Sequence, residues 1–349
     1  MRIAYAINSL EGGGAALPVP AVTDVLKRAG AEVAVFALTP RDRRALPAMR
    51  AAGLEVHVRS GGKRDHAAAL AWLDAETRNW GATHLWTSLT RATLLGQMVG
   101  QRRGLPVVSW QHAAFLRPWN RRLLRWRQKH SAIWVADSEA VLRLTHERLG
   151  VPMERLALWP IFRANPNAPH AAAWKTGPVR IGSLGRLHRV KGYDVLAEAQ
   201  ELLASSGPHA DFEIVIGGEG AQRAALEERI GLAGYIDSPA DFLAGLHLYI
   251  QPSRSEGLCV AAHEAMQAGL PVIASAVGEL QHSVLPGETG WLVPPGDAGA
   301  LAAALREAIA APERLAAMGE AGRARLLARF GADRFDAAGK AIIERLRAL

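Results

Sequence analysis

The chain has 349 residues, of which 49% are apolar and 21% are charged, with one cysteine and a net charge of +8. This composition excludes a disordered or fibrous chain, and the single Cys259 excludes both an internal disulfide and a metal site built from several cysteines. The length predicts two domains.

The first half of the chain alternates short apolar runs with longer helix-like segments. The runs are RIAYAIN, AEVAVFAL, LEVHV, THLWTS, LPVVSW and AIWVAD. Such alternation is typical of a parallel sheet covered by helices. Residues 1–165 are therefore predicted to form one Rossmann-like domain.

The N-terminal run MRIAYAINSL is followed at once by Glu11 and three glycines, which predicts a first strand and no signal peptide. Gly13 and Gly14 are placed to offer backbone N–H groups to phosphates or to an acceptor, although their spacing differs from the G-x-G-x-x-G fingerprint. Pro18 and Pro20 predict that the next helix starts late, near Ala21. The lack of long apolar stretches and of cysteine pairs predicts a cytoplasmic protein.

Residues 116–130, LRPWNRRLLRWRQKH, contain six Arg or Lys residues and no acid. The helical face formed by Trp119, Leu123, Trp126 and His130 has two interpretations. In one, the tryptophans lie at the headgroup level of an anionic membrane; in the other, they pack in the core and the arginines are solvated. The charge distribution favours the membrane, because residues 1–165 contain 24 basic and 12 acidic residues and the rest of the chain contains 17 and 21.

Three polar residues follow predicted strands of the first domain. His112 follows LPVVSW, and Asp137 and Ser138 end AIWVAD or follow it directly. These positions suit contact with a ligand, but a lone histidine after a strand is more often structural, and Ser138 is also a typical helix cap.

Residues 166–178 are rich in Pro, Asn and Ala, lack periodicity and predict an interdomain linker. A second series of apolar runs follows, VRIGSLG, FEIVIGG, LHLYIQPS, LPVIAS and GWLVP. Residues 179–330 are therefore predicted to form a second Rossmann-like domain, and residues 331–349 a C-terminal helix that packs back on the first domain. Two such domains would bind a ligand at the carboxyl ends of their strands.

The stretch SEGLCVAAHEAMQAG contains two glutamates on either side of the start of a helix, which is predicted to begin near Leu258. Glu264 then lies on the order of 10 Å along the helix from its start, and the free N–H groups between it and Glu256 suit phosphate oxygens. The spacing fits an extended donor of sugar, diphosphate and ribose. The backbone positions expected at the phosphates are Gly257, Leu258, Cys259 and Val260. In the alternative interpretation, Glu256 caps the helix and Glu264 is a solvated charge.

Two cations follow the first strand of the second domain in GSLGRLHRVKGYD. Arg186 and Lys191 are suited to stabilise a leaving diphosphate, and no acidic D-x-D motif is present to hold a metal ion. We therefore expect no metal and no cofactor other than a nucleotide-sugar co-substrate. In GGEG, Gly218 either lets a nucleotide approach the backbone closely or forms a tight turn.

These motifs resemble those of a known family. PSRSEG, AGLPVIAS and GETGWLVPPGD resemble the donor-binding segment of retaining glycosyltransferases of family 4, and GRLHRVKG resembles the G-R-x-x-x-x-K-G element of that family. The resemblance implies an α/β protein of the GT-B fold, with two Rossmann-like, doubly wound domains facing each other across a cleft. The first domain would bind the acceptor and the second the donor.

The resemblance also implies residue roles. Glu256 would meet the donor sugar, Glu264 the ribose, and His112 the sugar near its reacting carbon. The chain departs from the family in one place, because the usual Pro-Glu of this region is replaced by Gln281 and His282. This replacement leaves the helix capping and donor contacts there open.

The expected function is a metal-independent, retaining transfer of a sugar from a UDP-sugar to a glycan or lipid-linked acceptor, in polysaccharide or lipopolysaccharide synthesis at the inner face of the membrane. The first domain lacks a convincing carboxylate nucleophile, which favours a front-face displacement. Two alternatives are a sugar-nucleotide epimerase of the same fold and a basic nucleic-acid-binding protein. No nucleic acid is expected, because the basic helix matches no nucleic-acid motif and the second half is acidic overall.

Overall fold

The computed structural model describes residues 1–112, 116–207 and 210–349. The chain forms two compact units, one of residues Met1–Arg163 with Asp333–Leu349, the other of residues Ala164–Ala332. Each unit contains one fully parallel sheet accompanied by helices. The predicted α/β class with two Rossmann-like domains is confirmed.

The first unit contains seven strands and most of its helices alternate with them. The strands are β1 (Arg2–Ile7), β2 (Glu32–Ala37), β3 (Glu55–Val58), β4 (His84–Ser88), β5 (Val107–Gln111), β6 (Ile133–Ala136) and β7 (Leu156–Leu158). The helices are α1 (Val19–Arg28), α2 (Leu46–Ala51), α3 (His66–Asn79), α4 (Thr90–Arg103), α5 (Pro118–Arg127) and α6 (Glu139–Leu149). The sheet order is β3-β2-β1-β4-β5-β6-β7, so the direction of winding reverses between β1 and β4.

The second unit repeats this plan with six strands. They are β8 (Val179–Leu184), β9 (Phe212–Gly217), β10 (Gly231–Gly234), β11 (Leu248–Gln251), β12 (Val272–Ser275) and β13 (Gly290–Val293), in the order β10-β9-β8-β11-β12-β13. The helices are α7 (Tyr193–Ser205), α8 (Arg223–Leu226), α9 (Pro239–Ala244), α10 (Val260–Gln267), α11 (Leu280–Ser283), α12 (Ala298–Ala310) and α13 (Leu315–Phe330). Here the winding reverses between β8 and β11.

Two strands and two helix starts differ from the prediction. The strands β7 and β10 were not predicted: β7 has three residues, and β10 reads GLAG, which lacks the apolar, β-branched side chains that mark a strand. Helix α1 begins at Val19, earlier than the predicted Ala21, because Pro18 and Pro20 are tolerated at a helix start. Helix α10 begins at Val260, two residues after the predicted Leu258.

The predicted linker is packed on the second unit. The backbone N–H groups of Ala171 and Ala172 donate to the carbonyls of Ala268 and Ala244, and residues 166–178 belong to that compact unit. The last helix, α14 (Ala332–Arg347), belongs to the first unit apart from its first residue. There Asp336 pairs with Arg28 at 2.8 Å.

Helix α5 presents its tryptophans to solvent. Trp119 and Trp126 are 66% and 70% exposed, whereas Leu124 is fully buried. The core interpretation of the tryptophans is therefore wrong. The predicted four-residue face is also too long, because the α-helix ends at Arg127 and His130 lies in a 3₁₀ turn. Among the described residues, no helix combines the length and apolar character that crossing a membrane requires.

Candidate functional site

The carboxyl ends of four adjacent strands meet at one edge of the second sheet. These strands are β9, β8, β11 and β12, and the sheet order reverses between β8 and β11. Ligands of open α/β sheets bind outside the strand ends at such a reversal. The loops that follow these strands are residues 218–222, 185–192, 252–259 and 276–279, and we call them the strand-end loops.

Two of the predicted site residues form an ion pair within the strand-end loops. Lys191 Nζ donates to Glu256 Oε1 at 2.7 Å, and both side chains are mostly buried. Burial, the largest single influence, lowers the pKa of Lys191, but the charge and hydrogen bond of Glu256 together with the nearby Cys259 and Tyr193 more than offset it, and the net pKa is raised. Lys191 is therefore held as a cation at the switch point of the sheet.

A chain of buried polar side chains fixes the Glu256 carboxylate. Ser253 Oγ donates to Glu256 Oε1 at 2.6 Å, and Gln251 Nε2 donates to Ser253 Oγ at 2.8 Å. Tyr249 OH in turn donates to Gln251 Oε1 at 3.0 Å. Because Tyr249, Gln251 and Ser253 are all buried, they hold one carboxylate oxygen in place without occupying the other. Glu256 therefore does not act as a simple helix cap.

Backbone contacts between the strand-end loops require glycine at two positions. A side chain at Gly192, whose φ is +71°, would come within 1.9 Å of the carbonyl oxygen of Pro252. At Gly218, whose φ is +149°, it would come within 1.9 Å of the carbonyl oxygen of Gly185. Loop packing alone therefore accounts for Gly218, as the tight-turn interpretation predicts.

The start of α10 follows the strand-end loop that contains Glu256. Cys259 has a φ of +68°, a conformation that L-residues other than Asn, Asp and His seldom adopt, and it directly precedes Val260, the first residue of the helix. The side chains of Leu258 and Cys259 are buried, and burial raises the pKa of the Cys259 thiol. At Leu258 and Cys259 only the backbone is then available to a ligand. The carbonyl of Gly257 already accepts from Glu279 N at 2.9 Å.

Glu264 lies one turn into α10, beside a small cavity of about 100 Å³. Pro169, Pro239 and Leu243 help to line this cavity, and Glu264 is its one charged lining residue among those that the structure describes. Burial raises the pKa of Glu264 to about 7. Within the described parts of the chain, its carboxylate has no hydrogen-bond partner, so it is not the fully solvated surface charge of the alternative interpretation.

Arg186 and the residues that replace the family's Pro-Glu lie in or after other strand-end loops. Arg186 is exposed, and among the described residues it forms no ion pair. Gln281 Nε2 donates to the Gly278 carbonyl at 2.9 Å, and the short helix α11 forms despite the missing proline. His282 Nε2 is buried and has no partner in the described structure.

In the first unit, His112 belongs to a separate buried cluster. Its Nδ1 lies 2.9 Å from Asp137 Oδ2, and its Nε2 lies 2.6 Å from Ser88 Oγ. Trp110 Nε1 also donates to Asp137 at 2.5 Å. A neutral imidazole that donates from Nδ1 to Asp137 accepts at Nε2 from Ser88, so both ring nitrogens are engaged within this unit.

The other predicted residues of the first unit lie in a loop and at a helix start. Gly13 N donates to Glu11 O at 2.8 Å, and Gly14 is exposed in the loop that precedes α1. Ser138 Oγ accepts from Val141 N at 3.2 Å, so Ser138 caps α6 as the structural interpretation predicts.

The sequence motifs did not identify several residues that organise the two clusters. These are Tyr249, Gln251, Ser253, Ser88 and Trp110. Ser88 and Trp110 contact residues that are 24 and 27 positions away. The other three have partners two or three positions away that form no recognised motif, and only Ser253 lies in a quoted motif, PSRSEG. Across residues 1–112, 116–207 and 210–349, no three His, Cys, Asp or Glu side chains come together as a candidate metal site.

Two family models match the chain, one on each half. The model for Glycosyltransferase Family 4 matches residues 12–162, and the model for Glycosyl transferases group 1 matches residues 178–311. A curated relative, the 2-deoxystreptamine N-acetyl-D-glucosaminyltransferase of Streptomyces fradiae, is 36% identical over 166 residues. That alignment covers 44% of this chain and 39% of the relative, so the chain spans less than half the length of this relative.

Solved structures match over the whole chain. The Anabaena protein HepE, in complex with UDP and glucose, has a TM-score of 0.83 at 18% identity, with 100% of both chains covered. The lipopolysaccharide outer core galactosyltransferase WaaB has a TM-score of 0.74 at 15% identity, covering 99% of this chain and 100% of WaaB. At these identities the likeness shows the fold.

Proposed function

Because this chain belongs to glycosyltransferase family 4, we propose that it transfers a sugar from a nucleotide-sugar to a glycan or lipid-linked acceptor. The single observation on which this proposal rests is the Lys191–Glu256 pair at the switch point of the second sheet. A buried cation beside a fixed carboxylate suits a ligand with a diphosphate next to sugar hydroxyls. UDP is the proposed donor nucleotide, because the structure of HepE contains UDP.

Each part of the donor has a proposed partner in the second unit. Lys191 and the exposed Arg186 bind the diphosphate and stabilise the charge that it gains as it leaves. The backbone N–H groups at the start of α10 bind its oxygens. Glu256 accepts hydrogen bonds from sugar hydroxyls through Oε2, the oxygen that Lys191 and Ser253 do not contact, and Glu264 accepts them from the ribose.

Protection against thermal unfolding tests donor binding. We expect UDP-sugars to stabilise the protein more than GDP- or ADP-sugars do at the same concentration. A ligand at 100 times its dissociation constant adds about 2.7 kcal/mol to the free energy of unfolding. No protection by any nucleotide-sugar would contradict the proposed function, and stronger protection by a GDP-sugar would change only the donor nucleotide.

We propose that transfer retains the anomeric configuration and needs no metal ion. The bond between the sugar C1 and the phosphate oxygen breaks while the acceptor oxygen bonds to C1 on the same face, and the acceptor proton passes to the leaving phosphate. The two cations stabilise that phosphate. His112 is proposed to orient the sugar, which requires Ser88 to release Nε2.

The stereochemistry and the metal requirement are tested in one reaction. We expect the transfer to proceed in excess EDTA, and proton NMR of the product to show the anomeric configuration of the donor. Inversion at C1 would contradict the front-face displacement. Loss of activity in EDTA that Mg²⁺ restores would contradict the metal-free stabilisation of the leaving group.

The acceptor side is proposed to contact an anionic membrane through α5 and the residues around it. Trp119 and Trp126 are exposed, and six Arg or Lys residues lie between 116 and 130 without an acid. Exposed tryptophans suit the headgroup region, and the cations suit anionic lipid. This surface supports a lipid-linked acceptor at the cytoplasmic face of the membrane, in polysaccharide or lipopolysaccharide synthesis.

Sedimentation with vesicles tests this surface. We expect binding to vesicles that contain phosphatidylglycerol and little binding to pure phosphatidylcholine. Each basic residue near the surface contributes about 1 kcal/mol, so the double variant Arg121→Ala, Arg125→Ala should lower the partition constant about 30-fold. The variant Arg43→Ala, Arg50→Ala removes the same charge from other exposed positions of this unit and serves as the control. Equal losses in the two variants would contradict a specific α5 contact.

A further inference from the structure

Arg254 connects two strand-end loops through its side chain. Its Nη1 and Nη2 donate to Asp194 Oδ1 and Oδ2 at 2.6 and 2.9 Å, and Nη1 also donates to the carbonyl of Arg189 at 2.9 Å. The bidentate geometry fixes the plane of the guanidinium. Burial raises the pKa of Asp194, but the hydrogen bond and charge of Arg254 together with the backbone N–H groups of Asp194 and Val195 outweigh burial, and the net pKa is lowered.

The same two loops are also joined through their backbones. Arg254 N donates to the carbonyl of Val190 at 2.8 Å, and Gly192 packs directly against the carbonyl of Pro252. The loop after β8 and the loop after β11 are therefore tied together on both sides of Lys191. The positions of Lys191 and Glu256 relative to each other depend on this connection.

We propose that Arg254 is a positioning residue for the transfer reaction: by tying residues 189–194 to the loop of residues 252–256, it sets where the Lys191 ammonium lies. This inference rests on the proposed function. Arg254 itself contacts neither Lys191 nor Glu256 in the described hydrogen bonds and ion pairs, so its effect passes through the backbone. The charge on the leaving diphosphate grows in the transition state, so misplacing Lys191 lowers kcat more than it raises the KM for the donor.

Helix α7, which carries Asp194, also carries Glu201, and the ion pair of Glu201 provides a matched control. Arg229 donates to both carboxylate oxygens of Glu201 at 2.8 and 3.0 Å, and this pair joins α7 to the segment before β10. It is bidentate like the Arg254 pair, but it touches no strand-end loop. Arg229→Ala therefore removes a similar bond from the same unit without freeing Lys191.

The test compares Arg254→Ala, Arg254→Lys and Asp194→Asn with Arg229→Ala, well below their unfolding temperatures. We expect Arg254→Ala and Asp194→Asn to lower kcat at least tenfold with less than a threefold change in donor KM. Arg254→Lys should retain more of kcat than Arg254→Ala does, because lysine keeps the charge but cannot form the bidentate pair. The kcat of Arg229→Ala should stay within twofold of the kcat of the unchanged protein. A kcat within twofold for Arg254→Ala, or an equal loss in Arg229→Ala, would overturn the inference.

Hydrogen exchange separates this inference from the proposed function. In Arg254→Ala, the amides of residues 186–192 should exchange at least tenfold faster than in the unchanged protein or in Arg229→Ala, with or without a donor. Unchanged exchange would show that Arg254 does not hold the loop. If the unchanged protein transfers no sugar and binds no nucleotide-sugar, the proposed function fails, while faster exchange in Arg254→Ala would still support the connection between the loops.

Discussion

Lys191→Met is expected to lower kcat for sugar transfer by about two to three orders of magnitude, the usual cost of removing one group that stabilises a developing negative charge. Lys191 is mostly buried and pairs with Glu256, whereas Arg186 is exposed and forms no ion pair among the described residues. Initial rates at saturating donor measure this loss. A kcat within threefold of that of the unchanged protein would mean that Lys191 does not stabilise the leaving diphosphate.

The same substitution is expected to lower stability, because it leaves the Glu256 carboxylate mostly buried without its cation. Breaking a buried ion pair from one side costs about 3 to 5 kcal/mol, and the partial exposure of both side chains places this pair at the lower end. Denaturant unfolding measures the cost. The double variant Lys191→Met, Glu256→Gln should recover part of the stability, since neither charge remains, but none of the activity. Recovery of activity as well would mean that Lys191 acts only through folding.

The sequence motifs predicted much of the fold and part of the site. Alternating apolar runs marked eleven of the thirteen strands in the described parts of the chain, because buried parallel strands are continuous stretches of apolar residues. The strand ends at Lys191 and Glu256 followed from those runs. The two missed strands, β7 and β10, are too short or too rich in glycine to produce such a run.

The rest of the site depends on contacts that sequence spacing does not encode. Lys191 and Glu256 are 65 residues apart, and Arg254 and Asp194 are 60 residues apart, so the fold alone brings each pair together. The exposure of Trp126 could not be predicted from the sequence either, since an apolar stripe on a helix fits either a core or an interface. The partners of His112 come from β4 and from the end of β6.

Two adjacent residues of α10 are expected to give opposite pH dependences of stability. His263 is fully buried, with Nδ1 donating to the Cys259 carbonyl and Nε2 2.9 Å from Ser283 Oγ, and burial lowers its pKa from 6.5 to about 4. The unfolded chain then binds more protons between these values, so the contribution of His263 is full above pH 6.5 and is lost as the pH falls toward 4. Glu264 is shifted the other way, from 4.5 to about 7. Its contribution is full below pH 4.5 and is lost as the pH rises through 7.

Each shift corresponds to about 3 kcal/mol, so the two contributions largely cancel between pH 4.5 and 6.5 in the unchanged protein. Glu264→Gln should expose the histidine dependence: relative to the unchanged protein, the variant gains stability as the pH rises from 4.5 and is about 3 kcal/mol more stable at pH 8. His263→Asn, which keeps a donor near the Cys259 carbonyl, should show the opposite slope. Urea unfolding at each pH measures both, and subtracting the curve of the unchanged protein removes the effect of the other carboxylates.

Curves of stability against pH that run parallel for the two variants would contradict the burial of these groups.

Donor binding adds a second measurement at Glu264. The carboxylate lies beside a cavity of about 100 Å³ without a hydrogen-bond partner among the described residues, so the proposed ribose contact would supply the missing donors. Glu264→Gln should therefore be more stable at pH 8 and yet gain less protection from a UDP-sugar. A gain in both stability and donor protection would mean that Glu264 does not face the ribose, because removing a carboxylate that accepts ribose hydroxyls cannot strengthen binding of the donor.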